Sequence, residues 1–390
     1  MAASPMNVAS AVPTTAAPTA SVSPAAGPPV AGPPLVGATT TSSRAPSRIR
    51  SAYIKGPVYD WALFLAPPVL ALLLGIVLAH TDADDGLVTL SGEQFTWSGL
   101  LLGVLIQAHL VIVFFRSHGN GSVLRTHPYR FTVVPAFVLI GCLLWPLFAV
   151  TASVLATFWD VYHSGAQTFG FGRIYDAKAG NDPRRGRRLD FVANQLLYAG
   201  PIVAGAVMLD HFEDIYEYHD IGVFLFSSIP PAMATHHGVI ARTVLGVGAL
   251  FFAGYVAANV RAYRRGAHVS LQKVWLYAST GAVSLYTWGF NSWGEAFLIM
   301  NTFHAVQYFG IVWMSEQRNM SRLFRVDHRP AGKWITLAIF LLLGLGYGFL
   351  VEVFVTGDTE IFFALTITVS LMHFWYDGFI WSVRKGKVNA

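Results

Sequence analysis

Residues 97–116 read WSGLLLGVLIQAHLVIVFFR, an almost unbroken apolar run with one histidine inside it and an arginine at its end. A helix of about 20 such residues can cross the roughly 30 Å hydrocarbon core of a bilayer. The whole chain shares this character, because 54% of its residues are hydrophobic and only 12% are charged. A soluble fold needs roughly 25% charged residues. The composition therefore predicts an integral membrane protein whose core lies between the helices of one bundle.

Apolar runs of spanning length recur along residues 51–390. They lie near 59–79, 97–115, 131–150, 151–173, 191–209, 242–260, 274–290, 293–315, 334–355 and 361–382. Together they predict an all-α fold, a polytopic transmembrane helix bundle of about ten spans. Residues 1–50 are instead rich in Ala, Pro, Ser and Thr and contain no aromatic residue, which predicts a disordered tail.

The distribution of charge along the chain indicates its topology. If both termini are cytoplasmic, every Lys and Arg except Arg242 falls on the cytoplasmic side of the ten spans, and acidic residues favour the other side. Such segregation follows the positive-inside rule and predicts a multi-pass protein of a bacterial inner membrane. The net charge of +5 then reflects topology, and no nucleic-acid partner is expected.

Four of the predicted spans run in the same direction, and each carries one mid-span histidine. These are His109, His163, His304 and His373. Because a helix rises about 1.5 Å per residue, all four imidazoles are expected roughly 10–21 Å above the cytoplasmic boundary. Ionisable groups at that depth usually face a bundle interior, and neutral imidazole is a common ligand of iron, zinc and copper. A shared metal site is therefore favoured over four separate core histidines, each hydrogen-bonded to its own neighbour.

Polar residues accompany three of these histidines. Asp160 and Gln167 share a helix face with His163, Gln307 and Tyr308 lie three and four residues after His304 in a similar stripe, and Asp377 lies one turn after His373. The carboxylates and amides are expected to orient the imidazole rings, and Tyr308 to line the oxygen or substrate position. The alternative is that each buried imidazole has one ordinary hydrogen-bond partner.

Three segments carry a resemblance to a known family. YHSGAQTFGFG (162–172), FHAVQYFGIVW (303–313) and MHFWYDGFIW (372–381) resemble histidine motifs of the Brp/Blh family of membrane beta-carotene 15,15'-dioxygenases. The resemblance implies a helical protein in which His163, His304 and His373, with Asp377, hold a non-haem iron. The chain departs from the family at Tyr308, which stands where a second histidine is expected. It also lacks the early Pro-His-Gly segment, so that His109 would substitute from another helix.

These observations predict a membrane oxygenase with an Fe(II) centre that acts on a lipophilic small molecule among membrane lipids, with an unidentified redox partner. Two alternatives remain open. One is a haem-binding electron-transfer protein with two of the histidines as axial ligands. The other is a proton-coupled transporter or assembly factor that uses His and Asp or Glu as a relay. A segment with further histidines is interpreted as a hydrated lid on the outer side, with a metal site as the alternative; its histidines are His211, His219, His236 and His237.

Overall fold

Helices form nearly all of the structure, a computed structural model that describes residues 48–79, 86–205, 223–354 and 360–381. The first eight helices are α1 (Pro57–Asp60), α2 (Pro67–Ala79), α3 (Trp97–Val111), α4 (Val113–Arg116), α5 (Gly121–Thr126), α6 (Pro128–Leu144), α7 (Pro146–Lys178) and α8 (Arg187–Ala204). The others are α9 (Phe224–Ser227), α10 (Ile229–Arg264), α11 (Leu271–Phe290), α12 (Trp293–Leu323), α13 (Gly332–Phe354) and α14 (Glu360–Ile380). A π-helical turn, Trp61–Leu65, joins α1 to α2. The predicted all-α class is confirmed.

Two short strand pairs accompany the helices. Strand β1 (Ile49–Arg50) pairs in parallel with β4 (Val269–Ser270). Strands β2 (Leu87–Leu90) and β3 (Glu93–Thr96) form an antiparallel hairpin that leads into α3. The two residues between β2 and β3 have φ values of 53° and 90°, as a tight two-residue hairpin turn requires.

Several helices have the length and composition of membrane spans. Among the described residues these are Trp97–Arg116, Ile229–Arg264, Gly294–Leu323 and Gly332–Phe354. The pair Pro57–Leu65 and Pro67–Ala79, bent by 48°, makes a fifth if it is counted as one span. Its bend coincides with two successive prolines, which lack the N–H groups that would continue the helical hydrogen bonds. The number of ten spans and the cytoplasmic termini remain predictions.

Two predicted boundaries were wrong. The third and fourth spans separate at Trp145–Pro146 and not near residue 150, because Trp145 is extended and Pro146 starts α7 at the position where proline is best tolerated. The start of the sixth predicted span near residue 242 was also wrong, since α10 begins at Ile229. It includes His236 and His237, whose interpretation as parts of a hydrated lid stays a prediction. Prolines in the first turn of α10 start this helix early. The remaining lid histidines, His211 and His219, and residues 1–47 of the predicted tail lie outside the described residues.

A close approach between α3 and α13 places the first of the mid-span histidines. A Cβ atom at Gly348 would overlap the carbonyl oxygen of Val104 and lie 3.1 Å from the amide nitrogen of Ala108. Only glycine fits there, as in other helix pairs whose backbones nearly touch. The residue that follows Ala108 is His109, so this contact sets the position of the imidazole along α3.

A buried ionic network joins α7, α8 and α11. The Lys273 ammonium lies 2.7 Å from a carboxylate oxygen of Asp176 and 2.7 Å from one of Asp190. Arg173 donates hydrogen bonds to the same two carboxylates, and the Tyr255 hydroxyl donates to Asp190 over 2.7 Å. Two cations therefore balance two anions inside the bundle, and the loss of one partner would leave an uncompensated buried charge.

Asp60 ties the N-terminal segment to α7. Its carboxylate accepts hydrogen bonds from the backbone amides of Ile54, Lys55 and Gly56 and from the Tyr175 hydroxyl, at 2.6 to 3.2 Å. The side chain is fully buried, and each bond to it is charge-assisted. The approach of residues 54–56 to the first span is thereby set by one side chain.

The contact between α3 and α13 yields the first prediction. Gly348→Ala is expected to destabilise the protein by about 1–3 kcal/mol, because the new methyl group must push two backbones apart. Gly346→Ala is the matched control, since nothing lies within 4 Å of a Cβ atom there, and it is expected to be neutral or stabilising. Thermal unfolding of the detergent-solubilised protein measures both. Equal unfolding temperatures for the two variants would contradict the close contact.

Candidate metal centre

Four imidazole rings contact one another inside the bundle. His109 on α3, His163 on α7, His304 on α12 and His373 on α14 form a closed ring, which we call the histidine cluster. Ring centroids are 5.2 Å apart for His109 and His304, 5.1 Å for His304 and His163, 4.8 Å for His163 and His373, and 5.0 Å for His373 and His109. All four residues are at most 4% exposed. The four helices thus bring their histidines to one point.

The ligand atoms of the cluster lie close enough to share an ion. His109, His304 and His373 each offer a ring nitrogen within 4.8 Å of the other two, and His163, His373 and Asp377 form a second such group. The Nε2 atoms of His163 and His373 are 3.1 Å apart. Ligands bound to one metal at about 2.1 Å lie roughly 3–4 Å from each other. The group of His163, His373 and Asp377, with separations of 3.1 to 3.9 Å, therefore has the spacing of a mononuclear site, and the other group lies within 4.8 Å.

Several of these nitrogens have no partner among the described residues. Both ring nitrogens of His109 and both of His304 are buried without a hydrogen bond. A buried polar atom without a partner costs about 1–3 kcal/mol, and such atoms are rare in native structures. A metal ion in the cluster would use the lone pair of one nitrogen on each ring, which fits this donor set.

His373 is held in one tautomer. Its Nδ1–H donates to the backbone carbonyl oxygen of Leu110 over 3.1 Å, which leaves the lone pair of Nε2 directed at the cluster. A hydrogen bond on the far nitrogen is what usually orients a metal-binding imidazole. Leu110 was not expected in this role, because a backbone contact from another helix leaves no trace in the sequence.

Asp377 differs from its predicted role as a partner that orients His373. One oxygen, Oδ1, accepts hydrogen bonds from the Tyr308 hydroxyl and from the Trp381 indole N–H, both at 2.8 Å. The other, Oδ2, lies 3.8 Å from His163 Nε2 and 3.9 Å from His373 Nε2, beyond hydrogen-bonding distance. This oxygen is therefore placed as a further candidate ligand. Trp381 was missed, although its i+4 spacing from Asp377 could have indicated it.

The role of Tyr308 also differs from the predicted one. Its hydroxyl was predicted to line an oxygen or substrate position, but it is used to hold Asp377. The ring packs against His373 with centroids 4.6 Å apart. Tyr308 thus fixes two members of the site, and its side chain is almost fully buried.

The two glutamines bind backbone and not imidazole rings. Gln167 donates to the carbonyl oxygen of His304 over 3.1 Å and to Gln307 Oε1 over 3.2 Å, while Gln307 donates to the carbonyl oxygen of Phe64 over 2.8 Å. Phe64 lacks its usual helical donor because Pro68, four residues on, has no N–H. The predicted orienting role of both glutamines was wrong: they join α7 and α12 to the π-helical turn.

A cavity of about 240 Å³ adjoins the cluster at His109. Asp160 lies on its wall and belongs to neither group of candidate ligands, which corrects its predicted role beside His163. Asn301 and Gln107 add polar atoms, and Gln107 Oε1 is buried without a hydrogen-bond partner among the described residues. The other walls are mostly apolar; they include Leu110, Tyr198, Ile202, Trp288, Phe297, Met300 and Phe374. An apolar cavity with a few polar groups is typical of small-molecule sites.

Comparisons of the chain with protein-family models, with curated proteins and with solved structures found no match. The fold and the site together define a helical protein that has membrane-type spans and buried groups of histidines that could hold a metal ion.

The unpartnered nitrogens yield the second prediction. In protein stripped of metal by a chelator, His304→Leu is expected to raise stability by about 1–3 kcal/mol, because it removes two buried polar atoms that lack partners. Added metal is expected to raise the unfolding temperature of the unmodified protein and to leave that of the variant unchanged. His328→Leu is the control, since the His328 side chain is 69% exposed. Destabilisation of the stripped variant, together with no effect of metal on either protein, would contradict the site.

Proposed function

We propose that this chain is an intramembrane metalloenzyme, a non-haem iron oxygenase that acts on a lipophilic substrate. The observation that supports the proposal is the convergence of four imidazoles and one carboxylate from four helices in two groups of three, which share His373 and whose ligand atoms lie within 4.8 Å of one another. Four separately hydrogen-bonded core histidines would each have a partner elsewhere, whereas His109 and His304 have none among the described residues.

The donor set suits the proposed ion. His109, His163, His304 and His373 would hold it, with Asp377 Oδ2 as a fifth ligand. Neutral imidazoles with a carboxylate are ligands that Fe(II) accepts in oxygenases, and a metal at this position supplies the activation of dioxygen. The chain contributes rigidity, because Leu110 orients His373 and the Tyr308 and Trp381 side chains hold Asp377. The apolar surroundings exclude water from the reacting atoms.

The cavity beside His109 is the proposed substrate site. Its volume of about 240 Å³ is smaller than that of most small-molecule pockets, which suits one segment of a long lipid, isoprenoid or carotenoid-like chain. The aromatic side chains of Trp288, Phe297 and Phe374 can pack against such a segment, and Asp160 and Asn301 offer hydrogen bonds to a polar group on it.

The proposed setting is a bacterial inner membrane, with ten spans and both termini in the cytoplasm. The helices would give ten spans if α1 with α2, and α3 with α4, each count as one span and α6, α7, α8, α11 and α14 also cross the membrane. Four of the ten, or five with the bent pair, have the length and composition of spans among the described residues. The clustering of Lys and Arg at one end of the predicted spans supports the orientation.

The resemblance to the Brp/Blh family supports iron as the metal. The three segments that carry it supply His163, His304, His373 and Asp377, all of which belong to the candidate site. Tyr308, at the position where the family has a second histidine, reaches the site indirectly through its hydrogen bond to Asp377.

The haem alternative fits the geometry less well. Axial ligands lie on opposite faces of a porphyrin, but the rings of the cluster contact one another, and the Nε2 atoms of His163 and His373 are 3.1 Å apart. The proton-relay alternative has one supporting observation, the close spacing of His163, His373 and Asp377. It requires no metal, and metal analysis separates it from the proposed function.

The third prediction concerns metal content. Protein purified in detergent is expected to carry about one equivalent of iron per chain, and replacement of all four cluster histidines by alanine is expected to abolish it. A variant with His236→Ala and His328→Ala loses two histidines outside the cluster and is expected to retain the iron. Less than about 0.2 equivalents of any transition metal, unchanged in the cluster variant, would exclude the metalloenzyme.

The fourth prediction concerns the cavity. Ala156 lies on its wall, and Ala156→Leu is expected to fill part of the cavity and to lower oxygen-dependent formation of product by at least about tenfold. Iron content is expected to stay unchanged, because Ala156 belongs to neither group of candidate ligands. Lipid extracts of cells that carry each variant, analysed by mass spectrometry after growth in isotopic dioxygen, provide the measurement. Unaltered labelling in the variant would place the substrate elsewhere.

A further inference from the structure

A second and larger cavity lies apart from the histidine cluster. This arginine cleft has a volume of about 820 Å³ and opens between α5 with its flanking residues and the last third of α12. Four arginines line it: Arg116, Arg125, Arg318 and Arg322. Nothing in the proposed oxygenase function uses this cleft.

The charge in the arginine cleft is unbalanced. Its acidic residue, Glu316, is 1% exposed and already accepts hydrogen bonds from Arg116 and from the Asn120 side chain. Across the part of the chain that the structure describes, Arg125, Arg318 and Arg322 pair with no carboxylate. Three guanidinium groups thus line one open cavity without a counter-charge.

The floor of the cleft is rigid. Arg116 is held by the buried carboxylate of Glu316, and its guanidinium lies over the Trp381 ring at 4.9 Å from the centroid. A guanidinium fixed by an ion pair and an aromatic face loses little entropy when it binds a ligand. The other arginines of the cleft, Arg125, Arg318 and Arg322, are exposed.

Topology alone does not account for this arrangement. The positive-inside rule explains basic residues near the cytoplasmic end of a span, but it places no condition on where their side chains point. Arg318 and Arg322 are one helical turn apart on α12, where like charges repel and destabilise the helix. Arg125 reaches the same cavity from α5, on the opposite wall. A ligand with several negatively charged oxygens would attract these arginines and so offset their mutual repulsion.

We propose that the arginine cleft binds a phosphate-bearing ligand. Arginine recognises phosphate through paired N–H donors, and basic pockets between membrane helices on the cytoplasmic side bind anionic lipid headgroups. The same chemistry would recognise a soluble phosphorylated compound. Its volume accommodates a phosphorylated group of substantial size as well as a single phosphate. The proposal does not depend on the metal.

The experiment uses the full chain in detergent at about 150 mM salt, where screening weakens binding to dispersed surface charge. Two probes are titrated: phosphatidylglycerol in mixed micelles, with phosphatidylcholine as reference, and inorganic pyrophosphate, with sodium chloride of equal ionic strength as reference. Binding is followed by microscale thermophoresis. A response to phosphatidylglycerol identifies the headgroup as the source of the phosphate, and a response to pyrophosphate identifies a soluble ligand.

Variants locate the binding site. The double variant R318Q/R322Q is expected to weaken binding of the responding probe by at least about tenfold, and R125Q is expected to weaken it from the opposite wall. The matched control R329Q/K333Q removes the same charge at the same end of α12 and α13 outside the cleft, and it is expected to change binding less than about twofold. All replaced side chains are exposed, and unaltered thermal unfolding shows that each variant is folded.

Two results would overturn the proposal. One is the absence of binding by both probes to the unmodified chain. The other is an equal loss of binding in R318Q/R322Q and R329Q/K333Q, which would assign the effect to surface charge in general.

Discussion

A polar group inside an apolar bundle needs a partner, because neither lipid nor aliphatic side chains can replace water. This constraint organises the interior of the protein. Asp60 is surrounded by four donors, Lys273 and Arg173 share two carboxylates, and Gln307 supplies the hydrogen bond that Pro68 cannot give to Phe64. Each of these groups has at least one partner from another part of the bundle, so each also helps to fix how the helices pack.

In the histidine cluster several ring nitrogens lack such a partner among the described residues, and their convergence at one point is why the cluster carries the functional proposal. His373 is oriented by Leu110, and Asp377 is held by two donors, but the nitrogens of His109 and His304 find no hydrogen bond in the described part of the chain. Positioned donors around unsatisfied lone pairs are a combination expected of a binding site and costly in a purely structural core.

Trp381 lies between the two sites. Its indole N–H donates to Asp377 in the candidate metal centre, and its ring lies beneath the Arg116 guanidinium at the floor of the arginine cleft. On the far side of the cluster, the cavity beside His109 is apolar. The centre is therefore flanked by an apolar cavity on one side and by a basic cleft on the other, which are environments for chemically different molecules.

The sequence by itself determined the helical class, most helix positions and the common level of the four histidines in the bundle. In a long apolar run the backbone must form its hydrogen bonds internally, as a helix does. Because the helical rise per residue is constant, the position of a histidine in the sequence gives its position along the helix axis. The sequence also determined that His373 and Asp377 lie one turn apart, because both residues belong to the same helix. The ligand role of these residues remains a prediction.

Only the tertiary structure decided which way each helix faces. A span that is apolar all round carries no periodic pattern, since lipid and bundle interior favour the same side chains, so its rotation about its own axis depends on packing. For this reason Asp160 was placed beside the imidazoles but lies on the cavity wall, and Gln167 contacts backbone instead of a ring. Other contacts form only when the helices pack together. Examples are the hydrogen bond from Tyr308 to Asp377 and the ion pair in the arginine cleft between Arg116 and Glu316, which are about 200 positions apart.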